Sequence, residues 1–98
     1  MSLVNIGSIR LQALRMLDKQ TAPGSGLELF TYKRDRGVGI VRLDADTFLV
    51  REHGFVDQES EVKRAGLPKL LKTIIKREFP RSHKVRVIPF DGSDNRKF

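Results

Sequence analysis

One segment, Leu67 to Phe79, sorts its apolar and its cationic side chains onto opposite sides of a single helix. At about 100° per residue its apolar positions share one broad face: Leu67, Leu70, Leu71, Ile74 and Ile75. Lys69, Lys72 and Lys76, which form a lysine stripe, fall within roughly 60° of one another behind that face. Pro68 suits the first helical position and Pro80 closes the helix. The segment is predicted to be a helix that is buried on one side and meets water or an anion on the other.

The chain is long enough for one domain with a modest core. It has 98 residues, and a typical domain has about 100 to 150. We predict a single domain over residues 4–90. The residues that follow, 91–98, have almost nothing to bury and are predicted to form a mobile C-terminal tail.

The absence of cysteine narrows the class of protein. It excludes a disulfide framework, a thiolate nucleophile and cysteine-based metal sites, and it favours a reducing compartment, so we expect a cytoplasmic protein. No apolar run approaches the roughly 20 residues that cross a bilayer. The N-terminus also lacks the layout of a secretory signal. No membrane partner is expected.

The remaining patterns predict an α+β fold. Ile6 to Lys19 repeats apolar residues at helical spacing and forms an N-terminal helix. Three runs rich in β-branched and aromatic residues follow, and short loops with Gly and Asp join them into an antiparallel meander: Leu27 to Lys33, Val38 to Leu43 and Thr47 to Glu52. Lys84 to Ile88 is a last strand, and the proline after it, Pro89, indicates that the strand lies at a sheet edge or ends there.

The stretch between the meander and the basic helix consists of two segments with weaker patterns. His53 to Asp57 is a candidate for a short fourth strand. Gln58 to Ala65 is either a charged loop or a first helical turn. The predicted order is therefore an N-terminal helix, a three- to four-stranded antiparallel meander, a basic amphipathic helix and a C-terminal edge strand.

The predicted meander carries apolar side chains on both of its faces. Alternation sets Leu27 and Leu29 against Phe30 and Tyr32, and a solvated face would have been polar. Both faces are therefore predicted to be covered. Helices on opposite sides, a second subunit, closure into a small barrel, or a ligand that stacks on Phe30 and Tyr32 would each cover the second face.

Positive charge is concentrated in the C-terminal part of the chain. The net charge is +7, from 19 basic and 12 acidic residues, and residues 58–98 hold eleven cations and five acids. A field of this kind raises the encounter rate with polyanions. The lysine stripe spans about 10 Å at 1.5 Å per residue, and a nucleic-acid strand carries a charge about every 3.4 Å. The stripe therefore suits successive or alternate phosphates of one strand.

These observations predict a non-enzymatic nucleic-acid-binding domain that contacts the phosphate backbone of DNA or RNA. The predicted site residues are Lys63, Arg64, Lys69, Lys72, Lys76, Arg77, Arg81, Lys84 and Arg86. A plainer explanation is the solvated face of an amphipathic helix, where lysine is common. The shortage of acids beside the stripe favours the nucleic-acid-binding hypothesis, because a solubilising face normally carries both positive and negative side chains.

A protein-interaction module is the second functional hypothesis. It takes the form of a homodimer through a sheet face or an edge strand, or of an accessory subunit that docks an acidic partner. Sedimentation separates this class from the first.

Other motifs have structural explanations. Gly37-Val38-Gly39 lies between two strands, whereas a phosphate loop leaves a strand and enters a helix, so a hairpin glycine is predicted. Asp44-x-Asp46 and Asp57-x-Glu59 are typical of turns. His53 and His83 do not form a helical pair that would bind a metal. We predict no metal site, no cofactor and no catalytic residues.

The order of helix, three-stranded meander and helix over Ile6 to Phe79 is similar to that of the double-stranded-RNA-binding domain. The stretch Glu61-Val62-Lys63-Arg64-Ala65-Gly66-Leu67-Pro68-Lys69 occupies the place where that family has a glycine-rich turn and paired lysines. Lys63, Arg64 and Lys69 would stand in for those lysines. The characteristic Gly-x-Gly is absent, so the resemblance is one of element order.

Overall fold

The computed structural model describes residues 2–31, 36–54, 56–80 and 82–91, and this part of the chain forms an α+β fold. In chain order the elements are β1 (Ser2–Asn5), α1 (Ile9–Lys19), β2 (Gly26–Phe30), β3 (Gly37–Arg42), β4 (Thr47–His53), β5 (Gln58–Lys63), a 3₁₀ turn (Arg64–Gly66), α2 (Leu67–Glu78) and β6 (Lys84–Phe90). The strands form one antiparallel sheet in the order β1-β6-β2-β3-β4-β5. The predicted fold class is confirmed.

The core lies between the two helices and one face of the sheet. Each helix buries one stripe, with Ile9 and Leu17 on α1 and Leu71 and Ile74 on α2. The sheet contributes alternate residues of its inner strands: Leu27, Leu29, Val38, Ile40, Phe48, Val50, Val85 and Val87. Burial of these side chains is the main force that holds α2 with its lysines facing outward.

Arg42 joins the end of α1 to the sheet. Its guanidinium is buried, lies 4.6 Å from the centre of the Phe48 ring, and donates to the carbonyls of Leu17 at 2.9 Å and Gln20 at 2.7 Å. It also donates to the carbonyl of Ala45 at 2.9 Å. A cation at a helix C-terminus satisfies carbonyls that lack an intrahelical partner. The charge of Arg42 is therefore used inside the fold.

The three-stranded meander is confirmed, but the stretch after it differs from the prediction. Residues 58–63, predicted as a charged loop or a helical turn, form β5, which pairs with β4 in the register Phe48↔Val62 and Arg51↔Glu59. The fourth strand thus begins where the predicted one, His53 to Asp57, ends. Only Val62 of this edge strand packs against the core, so its sequence is almost wholly polar and lacks a strand pattern.

The predicted edge position of the last strand is wrong. β6 lies inside the sheet, between β1 and β2. The prediction failed because β1 has only four residues and no alternation long enough to be recognised. Pro89 is tolerated because the pairing of β6 with β1 extends only as far as Val87. At Pro89, among the described residues, β6 pairs with β2 alone, so the missing N–H of proline is not needed by a second strand. β5, which lies between the meander and α2, also interrupts the order of helix, three strands and helix on which the resemblance to the double-stranded-RNA-binding domain rests.

Of the four ways in which the second sheet face could be covered, the described residues show neither helices on opposite sides nor closure into a barrel. In this part of the chain both helices pack on the same face, and β1 and β5 are the two edge strands of the sheet. The opposite, helix-free face carries half-buried Phe30, Val41, Leu49 and Ile88. Stacking of a ligand on Tyr32 and the mobility of residues 92–98 concern residues outside the described part of the chain.

Gly37 has a packing role on this helix-free face. It pairs with Phe30 on one side and with His53 on the other, and the two rings meet edge to face with centroids 6.3 Å apart. A Cβ atom on Gly37 would lie 2.8 Å from the Phe30 ring and 2.9 Å from the His53 ring. Glycine is therefore required here because the two rings close over it, and not because of a turn.

Candidate nucleic-acid interface

The lysine stripe lies on the outer side of α2. Lys69, Lys72 and Lys76 are all exposed, and within the described residues none of them has an ion pair or a hydrogen bond from its ammonium group. The one acidic residue of α2, Glu78, is fully buried and accepts a bond from the Val56 amide at 3.2 Å. No carboxylate of α2 itself therefore offsets the stripe at the surface.

Two of the predicted arginines are already held by carboxylates. Arg64 makes two bonds to Asp18, at 2.8 and 2.9 Å. Arg77 makes two bonds to Glu52, at 2.7 and 2.6 Å. Paired, two-bond contacts of this kind fix a guanidinium in place. Both arginines therefore flank the stripe with their charges largely neutralised.

The electrostatics of the two pairs agree with the geometry. The hydrogen bond from Arg77 holds the pKa of Glu52 below its usual range, against the opposing effect of burial. The bond from Arg64 likewise lowers the pKa of Asp18, which is partly offset by desolvation. Both acids are therefore charged at neutral pH, and each cancels the charge of the arginine it binds.

The other predicted site residues do not join the stripe. Lys63 donates to the Thr47 hydroxyl at 2.9 Å. Lys84 and Arg86 lie on β6, at positions that alternate with the core residues Val85 and Val87, and so belong to the helix-free face. Arg81 is outside the described residues. The nine predicted residues therefore form no single surface, and the stripe is the part that the structure brings together.

A groove beside the stripe adds a cation that the sequence did not single out. The groove has a volume of about 650 Å³ and separates the start of α1 from the second half of α2. Its lining residues, which define the α1/α2 groove, are Ile6, Gly7, Ile9, Arg10, Lys72, Ile75, Lys76, Phe79 and Pro80. Arg10 has no ion pair with any described residue.

Arg10 reaches this groove because the two helices run antiparallel. Asp18, near the end of α1, pairs with Arg64, just before α2, while Arg10, at the start of α1, shares the groove with Lys76 near the end of α2. No local spacing in the sequence relates Arg10 to the stripe. The helix pairing had to be known first.

The described residues show no grouping suited to a metal ion, since no three His, Asp or Glu side chains gather. Asp44 accepts a bond from the Asp46 amide at 2.9 Å, as the turn interpretation of that motif predicts. In the same part of the chain, neither helix has the length and hydropathy needed to cross a membrane.

No protein-family model, no curated protein and no solved structure matches the chain.

Proposed function

We propose that this protein is a non-enzymatic, cytoplasmic domain that binds the phosphate backbone of a nucleic acid through the lysine stripe. The observation that carries the proposal is the set of three exposed ammonium groups on one side of α2 that have no partner among the described residues, while the acid of the same helix is buried. Arg10 adds a fourth cation across the α1/α2 groove. Arg64 and Arg77 have only supporting roles, because carboxylates already neutralise most of their charge.

The decisive experiment measures how the affinity for an oligonucleotide depends on salt. Each lysine that neutralises a phosphate releases a counterion. The negative slope of log K against log salt therefore becomes steeper by about 0.7 for each contact on a single strand and by about 0.9 for each contact on a duplex. Replacing Lys69, Lys72 and Lys76 together by glutamine is expected to flatten the slope by about 2 to 3. Fluorescence anisotropy with a labelled oligonucleotide between about 50 and 200 mM salt covers the range where this effect is large.

A matched control removes three positive charges from another part of the surface. Arg15, Lys19 and Lys84 are exposed and lack ion pairs within the described residues. Their triple glutamine variant has the same net charge as the stripe variant and is expected to keep most of the parent's slope. Equal slopes for the two variants would show that binding depends only on net charge, and the stripe would not be the interface.

The helix-free sheet face supports a second candidate, a homodimer. Leu3 is 46 % exposed there, and neither of the two described helices covers half-buried Val41, Leu49 and Ile88. Apolar side chains of this kind are typical of a surface that a partner covers. The same face carries Lys84 and Arg86, so a second copy would cover a mixed apolar and charged surface. Sedimentation velocity of the wild type and of Leu49→Glu tests it: a dimer that dissociates in the variant supports this candidate, and a monomeric wild type refutes it.

A further inference from the structure

The α1/α2 groove combines an apolar floor with an entirely cationic rim. The part of its floor that a ligand can contact is formed by Ile6, Ile75 and Pro80, because Ile9 and Phe79 are almost completely buried behind it. Arg10, Lys72 and Lys76 surround this floor, and no acid lines it among the described residues. Ligand sites in proteins have volumes of about 300 to 1,000 Å³ with apolar walls and a few polar groups that set orientation. The volume of about 650 Å³ falls within this range. The suitable occupant has an apolar, flat part and carries negative charge beside it.

Lys72 and Lys76 belong both to the lysine stripe and to the rim of the groove. A strand whose phosphates contact the stripe therefore passes along the edge of the groove, with its bases within reach of the floor. In a duplex the bases are stacked and paired, and extruding one has a substantial free-energy cost. In a single strand they are already free to leave the stack.

We propose that the α1/α2 groove accepts an unstacked nucleobase, so that the ligand of this domain is single-stranded nucleic acid. The inference rests on the proposed function, because it needs phosphates on the stripe. To the proposed function it adds that the nucleic acid is single-stranded and that one of its bases lies in the groove. Apolar contact with the floor holds the base, and the cations hold the phosphates on either side of it.

Gly7 allows the groove to be filled without disturbing the fold. It is exposed, its backbone is not left-handed, and a Cβ atom added to it would have no heavy atom within 4 Å. Gly7 lines the groove, and a larger side chain at this position has open space around its first carbon. Gly7→Leu is therefore a blocking variant, and Gln12→Leu, at an exposed position of α1 outside the groove, is its matched control.

The first test uses the unaltered protein and two single-stranded oligonucleotides of equal length. One carries bases and the other is abasic, so that both have the same phosphates. Stacking of a base on an aromatic side chain raises affinity by about fivefold or more, and apolar contact with the aliphatic floor of this groove is expected to reach the lower end of that range. We expect the abasic strand to bind at least about fivefold more weakly with an unchanged salt slope, because the phosphate contacts are the same.

The second test repeats the titration with the blocking variant. Gly7→Leu is expected to bind the base-containing strand about as weakly as the wild type binds the abasic one, while Gln12→Leu binds like the wild type. Thermal unfolding of both variants checks that the fold is kept. The salt slope of Gly7→Leu should match the parent, which distinguishes a blocked groove from a damaged stripe.

The outcomes separate this inference from the proposed function. Equal affinity for the two strands, together with a flattened slope in the stripe variant, overturns the base site and leaves phosphate binding in place. Binding of a duplex tighter than of a single strand of equal length also overturns it. If neither strand binds and a glutamate-rich peptide does, the groove serves an acidic protein partner, and both proposals fail.

Discussion

The two arginine–carboxylate pairs that flank α2 have the same hydrogen-bonding pattern but differ in the exposure of the acid. Glu52 is 2 % exposed, whereas the side chain of Asp18 is 52 % exposed. Replacing each acid by its amide, Glu52→Gln and Asp18→Asn, removes one charge and leaves the shape almost unchanged. The pair of variants therefore compares a buried carboxylate, which also bonds Gln58 and Glu78, with an exposed carboxylate that is bonded, among the described residues, by its arginine alone.

The contacts of Glu52 set the expected magnitude. Its carboxylate accepts two bonds from Arg77, at 2.6 and 2.7 Å, and one from the Gln58 amide at 3.1 Å. The amide introduced by Glu52→Gln would keep one acceptor oxygen and turn its NH₂ group toward a donor. Because bonds to a charged group contribute about 1.5 to 3 kcal/mol each, this substitution is expected to lower the free energy of unfolding by about 2 kcal/mol. A solvent-exposed pair contributes about 0.5 kcal/mol, which is the value expected for Asp18→Asn.

Urea unfolding followed by circular dichroism measures both changes at pH 7. A domain of this size has a stability of about 5 to 15 kcal/mol, so a loss of about 2 kcal/mol is well resolved. It corresponds to a fall in Tm of about 10 °C, at roughly 4 to 8 °C per kcal/mol. Equal losses for the two variants, within about 0.5 kcal/mol, would show that burial of the carboxylate does not decide the strength of these pairs.

The same difference depends on pH in a defined direction. Arg77 holds the pKa of Glu52 below its ordinary value of 4.5. The stabilisation is therefore fully present above pH 4.5 and is lost as the pH falls through the lowered pKa of the folded protein. The free-energy gap between the wild type and Glu52→Gln should be constant from about pH 8 down to about 5 and close at lower pH. A gap that widens on acidification would contradict the assignment.

Three further predictions follow from the packing and the charges. Arg42→Met removes the side-chain donor of the Gln20 and Ala45 carbonyls and one of the two donors of the Leu17 carbonyl, which keeps the Gln20 amide, and is expected to destabilise the fold by about 2 to 4 kcal/mol in urea unfolding. A loss below about 1 kcal/mol would show that water replaces the guanidinium. Gly37→Ala forces apart the Phe30 and His53 rings and is expected to cost about 1 to 3 kcal/mol, while Gly7→Ala, which meets no atom, should leave Tm within a few degrees. Arg64→Gln should leave the oligonucleotide salt slope almost unchanged, because Asp18 already neutralises this arginine; a slope flattened by about 0.7 to 0.9 would place Arg64 on a phosphate.

The amphipathic helix, the first helix and the three-strand meander could be predicted from the sequence because their signals are local. The spacing of Leu67, Leu71 and Ile74 specifies which side of α2 is buried, whatever it packs against. The strands that were not predicted have weak local sequence patterns. β5 is polar because it lies at an edge with a single residue, Val62, against the core, and β1 is only four residues long.

The amino-acid sequence by itself determined the segregation of apolar and cationic side chains on α2, since a helical repeat of about 3.6 residues converts spacing directly into position. Only the tertiary structure decided which cations remain free. Arg64 and Arg77 find their acids 46 and 25 residues away along the chain, and Arg10 meets the stripe only because α1 and α2 pack antiparallel. Pairing over such separations depends on the arrangement of whole elements, which no local periodicity encodes.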